Sequence, residues 1–275
     1  MMDILVPLKW SALRTEVDPL TGSATVTAGR FGPDPSSLAA LSWALRLAGS
    51  TGAAVTVVTI GPEAAEAGLR DALALGAAKA LRIEGPADPE PLEVAALLGP
   101  LASESDLVVL GARSVDRGSA AVAPTLAALL ERPSACGLLD VAWDGDRLAA
   151  ERRLPAGRRE RVRLPMPAVI SVESDSIPLG RAALPATLEA SGATIEVVRP
   201  DHVPTASSVA TVVPYRPRPR NAPPPPEGER PRDRIAALSG ALEAGSRAQT
   251  IELPPEEAAA EILATLRRWG YLDGG

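Results

Sequence analysis

The sequence has few of the residue types on which most catalytic and metal sites depend. It contains one cysteine, Cys136, and one histidine, His202, among 275 residues. An internal disulfide and a cysteine–histidine metal cluster are therefore both excluded. Because no nucleophile or acid stands at a suggestive spacing from His202, we predict no catalytic residue and no metal site. We expect the chain not to be an enzyme.

Aromatic residues and lysines are also scarce. Phe, Trp and Tyr make up 3% of the chain, against 46% hydrophobic residues overall, so Ala, Leu and Val must build the core. The only lysines are Lys9 and Lys79, and arginine supplies the remaining positive charge, which indicates a GC-rich genome. A formal net charge of −6 argues against a general nucleic-acid binder.

Long hydrophobic runs are absent as well. No run of about 18 apolar residues occurs, and no basic-then-apolar leader opens the chain. We therefore expect a soluble, cytoplasmic protein that does not insert into a membrane.

The first half of the sequence alternates strand-like and helix-like segments. Buried strands are predicted at residues 4–8, 54–60, 80–83 and 107–110. Helical spacing of apolar residues follows at 35–48, 62–76, 92–101 and from 119 onward. We expect Pro100 to interrupt the third helix, and the polar stretch before Gly32 to form a hairpin. This order predicts a parallel sheet with right-handed crossovers.

Beyond Pro133 the pattern changes from alternating strands and helices to a series of extended segments. Asp144-Gly145 predicts a hairpin between residues 138–143 and 147–153. Further strands are predicted at 159–164, 168–172 and 194–198, with a helix near 185–190. Alternating arginines along the hairpin form either a solvated strand face or an interface; they are Arg152, Arg153, Arg158, Arg159, Arg161 and Arg163.

The composition divides the chain into an α/β domain at residues 1–213, a proline-rich linker at 214–231 and a helical arm at 232–275. The linker has too many prolines for regular structure. An amphipathic helix at 254–269 ends the arm, with Ala258, Ile262, Leu263 and Leu266 on one face. It docks either on its own domain or on a partner subunit.

The stretch 105–133 contains the candidate site. Its strand ends at Gly111 in a loop of small residues, and a helix begins near Ser119. Free backbone N–H groups at the carboxyl edge of a parallel sheet favour a phosphate. The loop is neither a Walker loop nor a Gly-x-Gly-x-x-Gly motif, so it is either a nucleotide site or a plain connection.

The chain resembles the beta subunits of electron transfer flavoproteins, as a divergent, actinobacterial-type member, because its motifs occur in the family's order along nearly the whole length. They are residues 4–9, Asp34-Pro35, 58–62, 70–77, the loop at 110–116, the signature region at 150–171, Leu184-Pro185 and the closing segment at 254–271. The resemblance implies an α/β fold: a parallel-sheet, adenine-nucleotide-binding domain of the HUP and electron transfer flavoprotein type, with added antiparallel hairpins and a C-terminal arm ending in a helix.

The resemblance also implies a function. Such beta subunits form a heterodimer with an alpha subunit that holds most of the FAD contacts, and the pair carries electrons from flavin dehydrogenases to a downstream acceptor. The beta subunit buries AMP, or the adenylate of a second FAD. The alternative is a stand-alone adenine-nucleotide-binding module of the universal-stress type. The hairpins, linker and terminal helix of the second half favour the subunit.

The site residues are carried over from the family by position. The nucleotide contacts fall on Pro7, Asp34, Pro35, Ser36, Ser37, Ile60, Gly111, Ala112, Arg113, Ser114, Val115, Asp116, Arg117, Gly118, Ser119, Ala120, Ala121 and Val122. Partner recognition falls on Leu184, Pro185 and Leu188, unless Leu184 packs under the helix that follows it.

This chain departs from the family in the phosphate-facing part of the loop. Residues 118–123 are Gly-Ser-Ala-Ala-Val-Ala, where relatives have amide and hydroxyl side chains. We therefore expect weaker AMP binding, because each lost hydrogen bond is worth about 0.5–3 kcal/mol. Arg117 either compensates by binding the phosphate or is a solvated charge. Asp34 stands where an asparagine is usual and is an N-cap, a ligand contact or both.

Overall fold

The computed structural model describes residues 2–18, 21–26, 31–86, 89–200, 230–238 and 251–268. The chain divides into two units, Met1–Tyr215 and Arg216–Gly275. The linker predicted at 214–231 lies outside the described residues except for its last two positions. The predicted domain boundaries therefore stay predictions.

Short antiparallel strands follow the first strand and precede the first helix. The first strand is β1 (Asp3–Pro7), and the short strands after it are β2 (Trp10–Ala12), β3 (Thr15–Val17), β4 (Ala24–Val26) and β5 (Phe31–Pro33). Strand β2 pairs with β5, and β3 pairs with β4. This confirms the hairpin predicted before Gly32.

The rest of the first unit alternates helices and strands up to α4, and four consecutive strands follow before α5, as the sequence predicts. Its elements are α1 (Pro35–Thr51), β6 (Ala54–Ile60), α2 (Glu66–Ala74), β7 (Lys79–Ile83), α3 (Pro91–Ser103), β8 (Leu107–Gly111), α4 (Val122–Leu129), β9 (Ser134–Asp144), β10 (Arg147–Arg153), β11 (Arg159–Leu164), β12 (Ala168–Val172), α5 (Leu184–Ser191) and β13 (Glu196–Val198). The second unit contains α6 (Pro231–Leu238) and α7 (Pro255–Arg268).

Among the described residues, nine strands form one sheet in the order β11-β10-β9-β12-β8-β1-β6-β7-β13. The strands from β9 through β12, β8, β1, β6 and β7 to β13 pair in parallel, whereas β10 pairs antiparallel with both β9 and β11. The α/β fold with a parallel sheet and an added antiparallel hairpin is therefore confirmed.

Helices cover the parallel part of the sheet on both faces. On one face α1 and α2 bury Leu41 and Leu69 against Ile4 of β1. On the other face α3 and α4 bury Leu98 and Leu126 against the opposite side of the same strand. Each fully buried leucine contributes about 1.5–3 kcal/mol, so this two-sided apolar core supplies most of the driving force for folding.

Two helix predictions need correction. Helix α3 is not interrupted by Pro100 but continues to Ser103. Leu98 and Ala102 are buried on either side of the proline, and their packing offsets the lost backbone hydrogen bond. Helix α4 begins at Val122 rather than near Ser119, because Ala120 has a left-handed φ of 55° that a helix does not allow.

Helix α7 in the second unit is amphipathic, as predicted. On its predicted apolar face, Ile262 is 60% exposed and Leu263 is 45% exposed, whereas Ala258 and Leu266 are half-buried. Acidic residues lie in its first turn and arginines in its last turn, which complements the helix dipole. Docking of this helix on a partner stays a prediction.

None of the helices in the described part of the chain is long and apolar enough to cross a membrane.

Candidate nucleotide-binding cleft at the sheet edge

A cleft lies at the carboxyl edge of the sheet, between the neighbouring strands β1 and β8. The chain leaves β1 toward α1 on one face and leaves β8 toward α4 on the other, so the two connections diverge here. Pro7 at the end of β1 and Gly111 at the end of β8 both line the cleft. In open α/β sheets, ligands bind at such a switch point.

Close packing between β8 and α1 forms one wall of the cleft. A Cβ added at Gly111 would lie 2.2 Å from Ser36 Oγ and 2.6 Å from the carbonyl carbon of Ser36. No larger residue fits this contact. Glycine at the end of β8 therefore brings the first turn of α1 within reach of the loop that follows the strand.

Asp34 joins this wall to the loop. Its carboxylate is fully buried and caps α1, accepting the backbone N–H of Ser36 at 2.9 Å. One oxygen also accepts the Ser36 hydroxyl at 2.7 Å, and the other accepts the Ser11 hydroxyl at 3.2 Å and the backbone N–H of Val115 at 2.8 Å. The N-cap prediction is confirmed. Asp34 lies behind the lining and fixes the loop, rather than facing the cleft.

The lining of the cleft has an apolar part, which we call its floor, and a basic part, which we call its mouth. Pro7, Ile60 and Leu98 contribute to the floor, an arrangement suited to a planar, uncharged ring. The charged residues among the described lining residues are Lys9, Arg113 and Arg117, all of them basic. An anionic group would therefore be attracted to the mouth.

Each of these basic residues is held by an acid just outside the lining. Lys9 pairs with Asp116, Arg113 with Glu173 at 3.3 Å and Arg117 with Glu90 at 2.9 Å. The positive charge at the mouth is thus partly neutralised before any ligand arrives.

The pair of Lys9 and Asp116 orders the loop. Burial by itself raises the pKa of Asp116, but hydrogen bonds from Lys9 and Ser114 and the charge of Lys9 lower it. The backbone N–H of Arg117 adds to this effect, so the pKa lies below its usual range. The carboxylate stays ionised at neutral pH, and its support of the loop is lost only as the pH falls below the usual Asp pKa of about 3.9.

The start of α4 closes the cleft opposite α1. Gly118 and Ala120 have left-handed φ angles of 61° and 55°, which turn the chain so that residues 119–122 reach the cleft. Ala121 precedes the helix, and no side chain caps the first turn. The first-turn N–H groups therefore suit an anion.

The structure brings most of the predicted nucleotide contacts together. Those that line the cleft are Pro7, Ser36, Ser37, Ile60, Gly111, Ala112, Arg113, Ser114, Arg117, Ser119, Ala120, Ala121 and Val122. Those outside the lining are Asp34, Pro35, Val115, Asp116 and Gly118, which shape its walls. Their contact with a nucleotide stays a prediction.

Sequence reasoning missed several residues that line the cleft. They are Leu8, Lys9, Val58, Pro89, Pro91, Leu98, Leu110 and Ala123. The position of Lys9 directly after β1 was an available signal, because residues that follow a parallel strand gather at this edge. No local pattern marks Leu98, which reaches the cleft from the middle of α3.

The other predicted features lie away from the cleft. Leu184 and Leu188 on α5 are 70% and 65% exposed, so Leu184 does not pack under its helix. On the hairpin, arginines pair with acids, as in Arg152–Glu160 and Arg161–Glu151, which favours the solvated-face interpretation. His202 lies outside the described residues, and those residues contain no group of His, Cys, Asp or Glu that could hold a metal ion.

The fold and the cleft define an α/β protein with a ligand site at the switch point of a parallel sheet. A family model described as "Electron transfer flavoprotein domain" matches residues 25–203. The chain is 32% identical over 211 residues to the mitochondrial electron transfer flavoprotein subunit beta of Oryza sativa subsp. japonica. The aligned region covers 73% of this chain and 83% of the rice protein.

Other relatives match over shorter spans. The chain is 34% identical over 152 residues to the human electron transfer flavoprotein subunit beta, covering 53% of this chain and 59% of the human protein. A subunit beta from Thermoanaerobacterium thermosaccharolyticum is 33% identical over 162 residues, 57% of this chain and 62% of that protein. The chain thus spans about 59% of the length of the human relative. It belongs to the electron transfer flavoprotein family, in the group of the beta subunits.

Proposed function

We propose that this chain is the beta subunit of a heterodimeric electron transfer flavoprotein. In this function it supports an FAD held mainly by the alpha subunit, and the pair carries electrons from a flavin dehydrogenase to a downstream acceptor. One observation carries the proposal. This chain matches the family model, and its cleft has an apolar floor and a cationic mouth, with no acidic residue among the described lining residues.

The residues of the cleft fit an adenylate. An adenine ring fits the apolar floor at Pro7, Ile60 and Leu98, and a phosphate fits the cationic mouth and the first turn of α4. The Ser37 hydroxyl accepts the backbone N–H of Lys9 at 3.1 Å, which fixes the segment after β1 beside the cleft. The same cleft suits either AMP or the adenylate part of an FAD.

The redox chemistry belongs to the flavin, which supplies electron transfer when it is bound. This chain contributes walls, charges and an interface, and we propose no catalytic residue in it. Its antiparallel extension at β10 and β11 and its amphipathic helix α7 support the subunit over a stand-alone nucleotide module, because such a module needs neither.

The nucleotide content of the purified protein tests the cleft directly. We expect AMP at or below one equivalent, bound more weakly than in relatives, because alanines occupy loop positions where relatives have hydrogen-bonding side chains. Nucleotide released by heat or acid and quantified by chromatography, before and after extensive washing, measures both content and strength. Protein that has no nucleotide even before washing and binds none on addition would contradict the site.

Assembly tests the subunit assignment. Co-expression with an alpha subunit is expected to give a 1:1 complex, whereas the chain alone is expected to aggregate or be degraded. The reason is the apolar side of α7, where Ile262 is 60% exposed and Leu263 is 45% exposed. A 14-residue helix is marginal in water without a partner. Size-exclusion chromatography with light scattering measures the stoichiometry, and a folded monomer that ignores the alpha subunit would overturn this assignment.

A further inference from the structure

The ion pair between Arg117 and Glu90 differs from the other pairs at the mouth of the cleft. It joins two separate walls: Arg117 belongs to the loop after β8, and Glu90 is the N-cap position of α3. The lining residues Pro89 and Pro91 flank Glu90 on that second wall. The 2.9 Å contact between the two side chains therefore ties one wall to the other beside the cleft.

Hydrogen bonds fix the backbones of Arg117 and Glu90, so the ion pair between their side chains can break while both backbones stay in place. The N–H of Arg117 donates to Asp116 at 2.6 Å, and the preceding Val115 is bound to Asp34. The N–H of Glu90 donates to Glu93 at 2.8 Å, which fixes the start of α3. The side chains of Arg117 and Glu90 are 29% and 42% exposed, so both have room to rearrange.

We propose that Glu90 competes with the phosphate of a bound nucleotide for Arg117 and so sets how strongly the cleft distinguishes charged from uncharged adenine ligands. A phosphate that binds the guanidinium nitrogen now paired with Glu90 has to displace the carboxylate. This inference rests on the proposed nucleotide function of the cleft. It makes Glu90 a specificity-determining residue although it does not line the cleft itself.

The pair has no reason to affect a ligand without a phosphate. Adenosine presents the same ring to the floor but no anion to Arg117. AMP presents a phosphate, which Glu90 repels and with which Glu90 competes for Arg117. Removing the Glu90 charge should therefore strengthen AMP binding and leave adenosine binding unchanged. Exposed ion pairs contribute little energy, so we expect a gain of about two- to five-fold in AMP affinity.

Calorimetric titration of AMP and of adenosine tests this inference on the full chain, in the assembly formed on co-expression with the alpha subunit and after removal of co-purified nucleotide. Glu90→Gln keeps the length of the side chain and removes its charge. Glu104→Gln is the matched control, because it removes an exposed charge at the opposite end of the same helix. Arg117→Gln should lower AMP affinity toward that of adenosine.

The outcomes separate the inference from the function on which it rests. Tighter AMP binding with unchanged adenosine binding in Glu90→Gln, and no change in Glu104→Gln, supports the competition. Equal AMP affinity in the wild type and Glu90→Gln, or an equal gain for both ligands, overturns it while leaving the nucleotide site intact. If neither ligand binds any variant, the proposed nucleotide function fails and the inference falls with it.

Discussion

Replacing Gly111 with alanine is expected to lower the free energy of unfolding by about 3 kcal/mol or more and to abolish nucleotide binding. The new Cβ would lie 2.2 Å from Ser36 Oγ and 2.6 Å from the carbonyl carbon of Ser36. Ser36 cannot move away from the new Cβ, because it is buried in the first turn of α1 and donates two hydrogen bonds to Asp34. Either α1 or β8 must move, and both walls of the cleft would shift with it.

Urea unfolding and nucleotide content measured on the same purified complex test this prediction. Gly49→Ala is the matched control, since it lies near the other end of α1 and its added Cβ meets nothing within 4 Å. That substitution should be stabilising by about 0.5–1 kcal/mol, because alanine is the better helix former. A Gly111→Ala protein as stable as the wild type and still carrying nucleotide would show that the contact between β8 and α1 is dispensable.

Much of the fold was predictable because the pattern of apolar residues is unambiguous where strands are buried on both faces. The strand Ala54–Ile60 agrees with its prediction at both ends, since a run rich in β-branched residues and bounded by Gly61 favours a buried strand over a helix. Helix α1 was predictable from Asp34 and Pro35, which are a preferred cap and first residue. Local chemistry decides these elements.

The errors arose where tertiary packing overrides local preference. Alanine has a high helix propensity, yet Ala120 adopts a left-handed φ because the loop must turn before α4. Pro100 is a helix breaker by its chemistry, yet the burial of Leu98 and Ala102 on either side of it holds α3 together. The packing that determines the conformation at Ala120 and at Pro100 involves residues distant in sequence, which a local sequence window does not contain.

The ion pairs of the candidate site were not predictable for the same reason. Arg117 and Glu90 are separated along the chain by the whole of α3 and β8, and the contact exists only after the sheet has formed. The supporting function of Asp34 is similar: its cap on α1 is a local signal, but its bond to Val115 joins segments far apart in sequence. Sequence places such residues near one sheet edge, and only the fold decides which of them pair.

Leu184→Ala is expected to slow electron transfer from the cognate dehydrogenase about tenfold or more, while flavin content and melting temperature stay unchanged. Leu184 begins α5 with 70% of its surface exposed, so its removal leaves no cavity and costs little stability. If a shallow pocket of the dehydrogenase buries about 100 Å² of this side chain, at ~25 cal/mol per Å² the contact contributes about 2.5 kcal/mol.

The control must be an exposed leucine that no partner is proposed to touch. Leu129, at the end of α4 and 50% exposed, serves this purpose, and Leu129→Ala should leave the transfer rate unchanged. Leu188→Ala should produce a smaller loss than Leu184→Ala, because Leu188 is one turn further along α5. Stopped-flow reduction by the dehydrogenase measures the rates. A wild-type rate in Leu184→Ala would remove this leucine from the partner site, and a large drop in melting temperature would instead assign it to the packing of the first unit.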